Sequence, residues 1–292
     1  MRALPVFYSP RMVADSEGFS PSAAKPAAVL ESWRALGIPL AVAAPAPVTL
    51  AQLAAAHDPR FVAGVLGGTL ANGFGSRSPE VAASLPWTSG AMLAAAREAI
   101  RNGKAAIAPC SGFHHARYAS AAGFCTFNGL AVAALALKAE GAAARVGILD
   151  FDHHYGDGTD EIIGRLGLAW IEHYSAGREW YEPRHAARFL AKIPEYVGRM
   201  ADCDVILFQA GADPHVDDPL GGWLTTAQLA ARDRTVFETA KALGVPVAWN
   251  LAGGYQEPLR KVLDIHDNTL RECWAVHGEA APAQAAEKGV RK

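Results

Sequence analysis

The sequence predicts a single α/β domain with a mostly parallel sheet flanked by helices on both faces. Three observations predict it. Short apolar runs alternate with longer Ala-rich amphipathic stretches along most of the chain. Several of those runs are continuously apolar instead of alternating, the pattern of strands covered on both sides. The chain has 292 residues and is 51% hydrophobic, enough to bury a large core, and no repeat or linker divides it.

Taken in order, the apolar runs predict strands over residues 4–8, 39–43, 105–109, 146–151, 168–172, 205–209 and 245–250. Helical periodicity predicts helices over 27–36, 88–102, 128–140, 160–166, 184–199, 225–243 and 257–274. His57-Asp58-Pro59 reads as a helix start, with Asp58 as its N-cap. Residues 72–86 are rich in Gly, Ser and Pro and read as a long loop. The catalytic domain is expected over residues 1–276. Residues 277–292 have no apolar period and are expected to form a flexible tail.

Bulk chemistry narrows the function. The 27 basic and 29 acidic residues give a formal charge of −2, which argues against a dedicated nucleic-acid binder. No apolar stretch is long enough to span a membrane, and the N-terminus lacks a signal-peptide pattern. The four cysteines are scattered, as reduced thiols would be. These features predict a cytoplasmic protein with no membrane and no nucleic-acid partner. A homo-oligomer is compatible with them.

Four predicted strand ends carry polar groups, and in open α/β sheets ligands sit at such ends. The densest is 148–158, ILDFDHHYGDG, where Asp150, Asp152 and His154 alternate onto one face. Carboxylates beside an imidazole form a transition-metal ligand set. His153 points the other way by the same alternation. The strand over 205–209 runs into Gly211-Ala212-Asp213 and Asp217-Asp218-Pro219, and a third leads to His114-His115. A fourth ends in Gly253-Gly254-Tyr255, where the glycines allow a sharp turn that presents one phenol.

With these residues the chain resembles the zinc-dependent histone deacetylase family, including bacterial histone-deacetylase-like and acetylpolyamine amidohydrolases. The resemblance rests on His114-His115, Gly123-Phe124-Cys125, the D-x-D-x-H-x-G-x-G run from Asp150 to Gly158, Gly211-Ala212-Asp213 with Asp218-Pro219, and Gly253-Gly254-Tyr255. It implies the arginase/deacetylase fold, with a sheet of about eight strands. It implies one zinc ion per chain, or ferrous iron, held by Asp152, His154 and Asp218. His115 would be general base and then acid, with His114 electrostatic, and Asp150 and Asp157 would orient these two imidazoles. Tyr255 would donate to the carbonyl oxygen. Gly123 and Phe124 would bind the substrate, a small-molecule or peptide acyl-amine such as an acyl-lysine or acetylpolyamine.

The chain departs from the family in three places. Residues 172–183 look abbreviated, leaving Trp180 or Tyr181 to act as a second aromatic wall or simply to pack in the core. Where the family often has a serine for a structural potassium ion, Ile171 or Glu172 falls. The segment 85–89 around Trp87 lacks the acidic rim residue of peptide- and polyamine-specific relatives. Arginase-like ureohydrolase chemistry with two manganese ions is the competing reading. It needs a D-x-H-x-D run, and Gly156 stands at the last position. A binding protein on a degenerate fold would have lost a ligand or the tyrosine, and all are present.

Overall fold

Each of the seven apolar runs overlaps a strand, the run 168–172 only at its last two residues: β1 (Leu4–Phe7), β2 (Leu40–Ala43), β3 (Ala105–Ala108), β4 (Val146–Asp150), β5 (Ile171–Ser175), β6 (Val205–Gln209) and β7 (Val247–Asn250). The computed structural model describes residues 1–16 and 18–279. Among them the strands make one parallel sheet in the order β2-β1-β3-β7-β6-β4-β5, seven strands against the expected eight or so.

Alternation along each strand feeds two apolar layers. Leu149, Ile206, Phe208, Val247 and Trp249 face a core shared with α1 (Lys25–Ala35), α7 (Ala186–Gly198), α8 (Thr226–Leu243) and α9 (Arg260–His277). Their neighbours Val146, Ile148, Val205, Leu207 and Ala248 face the other layer. It is shared with α2 (Leu50–Ala56), α3 (Pro59–Leu66), α4 (Pro79–Asn102), α5 (Gly129–Ala139) and α6 (Asp157–Leu166).

Part of the segment expected as a loop is helix. α4 starts at Pro79 because Ser78 accepts a hydrogen bond from Val81 N, and proline suits a first helical turn. Pro86 is accommodated inside it, its carbonyl accepting Val48 N at 3.0 Å. Trp87 therefore lies in mid-helix, with the Arg11 guanidinium 4.8 Å above its ring. The helix start at 57–59 is present, Asp58 Oδ1 accepting Arg60 N at 2.7 Å. The expected flexible tail lies outside the described residues from 280 onward, and α9 continues to His277. Among the described residues no helix is long and apolar enough to cross a membrane, and all four cysteines are free and buried.

The register places the site. Asp150 ends β4 opposite Gln209 of β6 and Ser175 of β5, while Asn250 of β7 pairs with both Gln209 and Ala108 of β3. The loops leaving these four central strands therefore emerge side by side at one edge.

Candidate active site

Two histidines come from the loop after β3, each with its own carboxylate. His114 is buried, with Nδ1 2.8 Å from Asp150 Oδ2. Asp150 is itself held by Asp152 N at 3.2 Å, Gln209 Nε2 at 3.0 Å and Ser175 Oγ at 3.1 Å. His115 places Nδ1 2.7 Å from Asp157 Oδ1, and the other Asp157 oxygen pairs with Arg117. In both pairs the carboxylate fixes the ring and leaves Nε2 for chemistry. Their electrostatics differ. Burial pulls His114 down, but Asp150 and Asp152 outweigh it and raise its pKa to about 9. His115 is lowered by burial and by His114, despite Asp157.

One metal-capable group among the described residues contains two of the three expected ligands. Asp152, His154 and Asp213 each present one donor atom, and these atoms lie within 4.8 Å of one another. His154 Nδ1 is 3.0 Å from Asp213 Oδ2 and 3.3 Å from Asp152 Oδ1. Asp218 is not in this group. Its Oδ2 accepts Tyr255 N at 2.8 Å and its Oδ1 accepts Leu220 N at 3.0 Å, and each oxygen keeps a further lone pair. Asp218 also lies near enough to Asp152 to feel its charge, while Gln209, Gly211 and Asp213 follow one another at every second residue off β6.

The group suits a divalent cation. Burial and the neighbouring Asp152 push Asp213 up to about 7. Asp152 is also desolvated, but His114 and His154 hold it well below the usual carboxylate range. Two buried carboxylates crowded onto one imidazole nitrogen repel each other, and a cation between them relieves that repulsion. At Gly156 a side chain has no room, since a Cβ would stand 2.5 Å from Asp150 Oδ2.

Tyr255 closes the site. It is 8% exposed, and burial followed by Asp213 and Asp152 pushes its phenol far above the ordinary value, so it stays a donor. Its approach is shaped by Gly253, whose N–H donates to Asp152 Oδ2 at 2.9 Å, and by the buried Lys25, whose Nζ donates to Ala252 O at 2.8 Å. Tyr255 lies 5.5 Å from the ring of Phe124, and Phe74 and Phe19 extend the aromatic row on either side. A cavity of about 150 Å³ opens between Gly123, Phe124, Tyr255, the two histidines, Asp152 and His154, with Leu220 also lining it. Gly123 adopts φ 53°, and a Cβ there would run into the His115 ring.

Other expectations resolve differently. Trp180 is core: its Nε1 donates to Tyr174 and Tyr196 hydroxyls at 2.9 and 3.1 Å, and its ring packs on Phe189. Tyr181 is 57% exposed, and neither ring lines the cavity. A serine does stand against Asp150, but it is Ser175 and not position 171 or 172, because β5 extends three residues beyond the predicted end. Sequence reasoning missed Gln209, which accepts Phe113 N at 3.0 Å while donating to Asp150. A polar residue ending a wholly buried apolar strand was the available signal.

The family model described as a histone deacetylase domain matches residues 22–166 and 172–270. An uncharacterized protein of Picosynechococcus sp. is 28% identical over 248 residues, covering 76% of this chain and 79% of that protein. An acetylpolyamine amidohydrolase of Burkholderia pseudomallei is 48% identical over 79 residues, 26% of this chain and 22% of that enzyme, so the alignment spans only a fraction of its length. The crystal structure of the HDA15 HD domain superposes with a TM-score of 0.76 at 20% identity, covering 96% of this chain and 92% of that one.

Proposed function

The chain belongs to the histone deacetylase family, and from that premise we propose that it is a zinc-dependent amidohydrolase that removes an acyl group from an amine. The observation that carries the proposal is the convergence of Asp152 and His154 with Tyr255, His114 and His115 in one cavity, with Asp213 grouped against both ligands and Asp218 as the proposed third ligand. A zinc ion held there would acidify water and polarise the substrate carbonyl. Ferrous iron suits the same donors. Gly156 supports one ion per chain, against the binuclear ureohydrolase reading, because no further carboxylate fits at that position.

The residues then divide the work. His115, the imidazole with the lowered pKa, takes a proton from the attacking water at Nε2 and returns it to the leaving amine. Asp157 keeps its Nδ1 proton in place. His114, its ring fixed by Asp150, stands beside Asp152 and adds an N–H dipole where negative charge develops. The Tyr255 hydroxyl donates to the oxygen of the former carbonyl. Phe124 and Tyr255 flank the acyl-bearing stem, and the Gly123 carbonyl accepts from the substrate amide. Asp150 with Ser175 is the proposed potassium position.

The amine is a lysine side chain or a polyamine, in keeping with the acetylpolyamine amidohydrolase of Burkholderia pseudomallei to which the chain is similar. The test is turnover of acetyl-lysine peptides, acetylpolyamines and longer acyl-lysines by the zinc-loaded protein. Hydrolysis of at least one class, abolished by a chelator and restored by zinc, is expected. No amide hydrolysis at full zinc occupancy, or two metals per chain, would overturn the reading.

A further inference from the structure

Arg232, on α8, is completely buried, an expensive position for a guanidinium unless its donors are used. Its Nε pairs with Asp233 Oδ1 at 2.8 Å, and Asp233 in turn accepts Thr269 Oγ1 at 2.6 Å. Its Nη1 donates to two backbone carbonyls at once, Phe151 O at 3.0 Å and Gly211 O at 2.8 Å. Its Nη2 has no partner.

The two carbonyls identify what the arrangement serves. Strand pairing between β4 and β6 ends at Asp150 opposite Gln209, with one more bond from Phe151 N to Gln209 O at 3.1 Å. Past that point, no backbone-to-backbone hydrogen bond joins the two segments among the described residues, although they approach so closely that a Cβ on Gly211 would stand 2.8 Å from Asp152 Cα. Arg232 Nη1 supplies the missing rung. The peptide leading into Asp152 is then fixed at both ends, its carbonyl by Arg232 and its N–H by Asp150 Oδ1. The peptide between Gly211 and Ala212 is fixed likewise, its carbonyl by Arg232 and its N–H by Gly253 O at 2.9 Å.

We infer that Arg232 is a positioning residue for the metal site: by bridging the Phe151 and Gly211 carbonyls it sets the separation of the Asp152 and Asp213 carboxylates. The inference rests on the metal-site reading above, and it is tested by zinc affinity without any substrate. Zinc ions alone are titrated against a chromophoric chelator, with thermal unfolding recorded in parallel. Arg232→Met removes the bridge, and zinc affinity is expected to fall roughly 10- to 100-fold, the usual cost of losing a group that supports the ligands. Asp233→Asn weakens the other side of the same buried pair but leaves the two carbonyl bonds. It is expected to lower the unfolding temperature while keeping zinc affinity within about 3-fold of the unaltered protein, a small change beside the loss typical of ligand-supporting groups.

A purely structural arginine would make the two variants behave alike. Equal zinc loss in both, or unchanged affinity in a folded Arg232→Met protein, overturns the inference. If the methionine variant does not fold, Arg232→Gln replaces it. Its amide ends two atoms short of the Nη1 position and cannot span both carbonyls, so weakened zinc binding is again expected, and unchanged binding overturns the inference. Failure of the unaltered chain to take up zinc would overturn the metal-site reading itself, and this inference with it. That result is distinct from a zinc-binding chain indifferent to Arg232.

Discussion

Replacing His57 with glutamine should remove a large part of the protein's acid sensitivity. His57 is buried between the rings of Phe61 and Phe127. Its Nδ1 lies 2.9 Å from Arg117 O, and its Nε2 accepts the backbone N–H of Asn128 at 2.8 Å. Both nitrogens are thus committed in the neutral form: Nδ1 carries the proton, and a second proton on Nε2 would confront the Asn128 N–H. Burial accordingly lowers its pKa from 6.5 to about 4, against the opposing pull of the Arg117 and Tyr118 backbone.

The sign follows from which state binds the proton. Between pH 6.5 and 4 the unfolded chain protonates this histidine and the folded chain does not. The contribution is therefore complete above about pH 6.5 and is lost as pH falls towards 4. A shift of this size amounts to about 3 kcal/mol at pH 4 and about 2 kcal/mol at pH 5. Glutamine can offer one donor and one acceptor but does not titrate. Chemical denaturation of both proteins from pH 8 to 4 is the assay. His57→Gln should cost about 1–2 kcal/mol at pH 8 through poorer hydrogen-bond geometry, and the gap should close or reverse by pH 4. Parallel stability curves over that range would refute the reasoning. The buried His277 is also lowered to about 4 and contributes in the same direction, but identically in both proteins.

Three further outcomes are expected. Tyr255→Phe should lower kcat by about 10²- to 10³-fold, as loss of one oxyanion donor does, with zinc content by elemental analysis unchanged. Gly123→Ala forces an L-residue to φ 53° and sets a methyl against the His115 ring, so kcat should fall by on the order of 10²-fold, the cost of a small displacement of a reacting group. Thermal unfolding in kinetic assays will separate this from gross misfolding. Chelation should lower the unfolding temperature reversibly, since zinc at on the order of a thousand times its Kd stabilises the native state by about 4 kcal/mol.

Strand positions were legible because buried parallel strands are apolar throughout: every predicted run overlaps a strand, and the 205–209 limits coincide with β6. The start of α4 was hidden because Ser78, Pro79 and Pro86 are residues of turns as well as of helix beginnings. Trp180 could not be assigned from sequence, since its place in the core depends on Tyr174 and Tyr196, which are distant in the chain or on another element. Asp213 shows the limit most clearly. The family motif points to Asp218 as the third ligand, and only the fold shows a second carboxylate, Asp213, grouped with Asp152 and His154. The period-two rule that selected Asp150, Asp152 and His154 also selects Asp213 when it is carried past Gln209. Arg232 was invisible for another reason: its partners are backbone carbonyls, which leave no mark in the sequence.

The central claim is the identity of the metal-binding carboxylates, and zinc content of two single variants tests it most directly. Asp152→Ala and Asp218→Ala should each purify with little zinc and bind added zinc weakly, while the unaltered protein holds about one zinc per chain. Near-stoichiometric zinc in Asp218→Ala would contradict the account and leave Asp213, grouped with Asp152 and His154, as the third ligand.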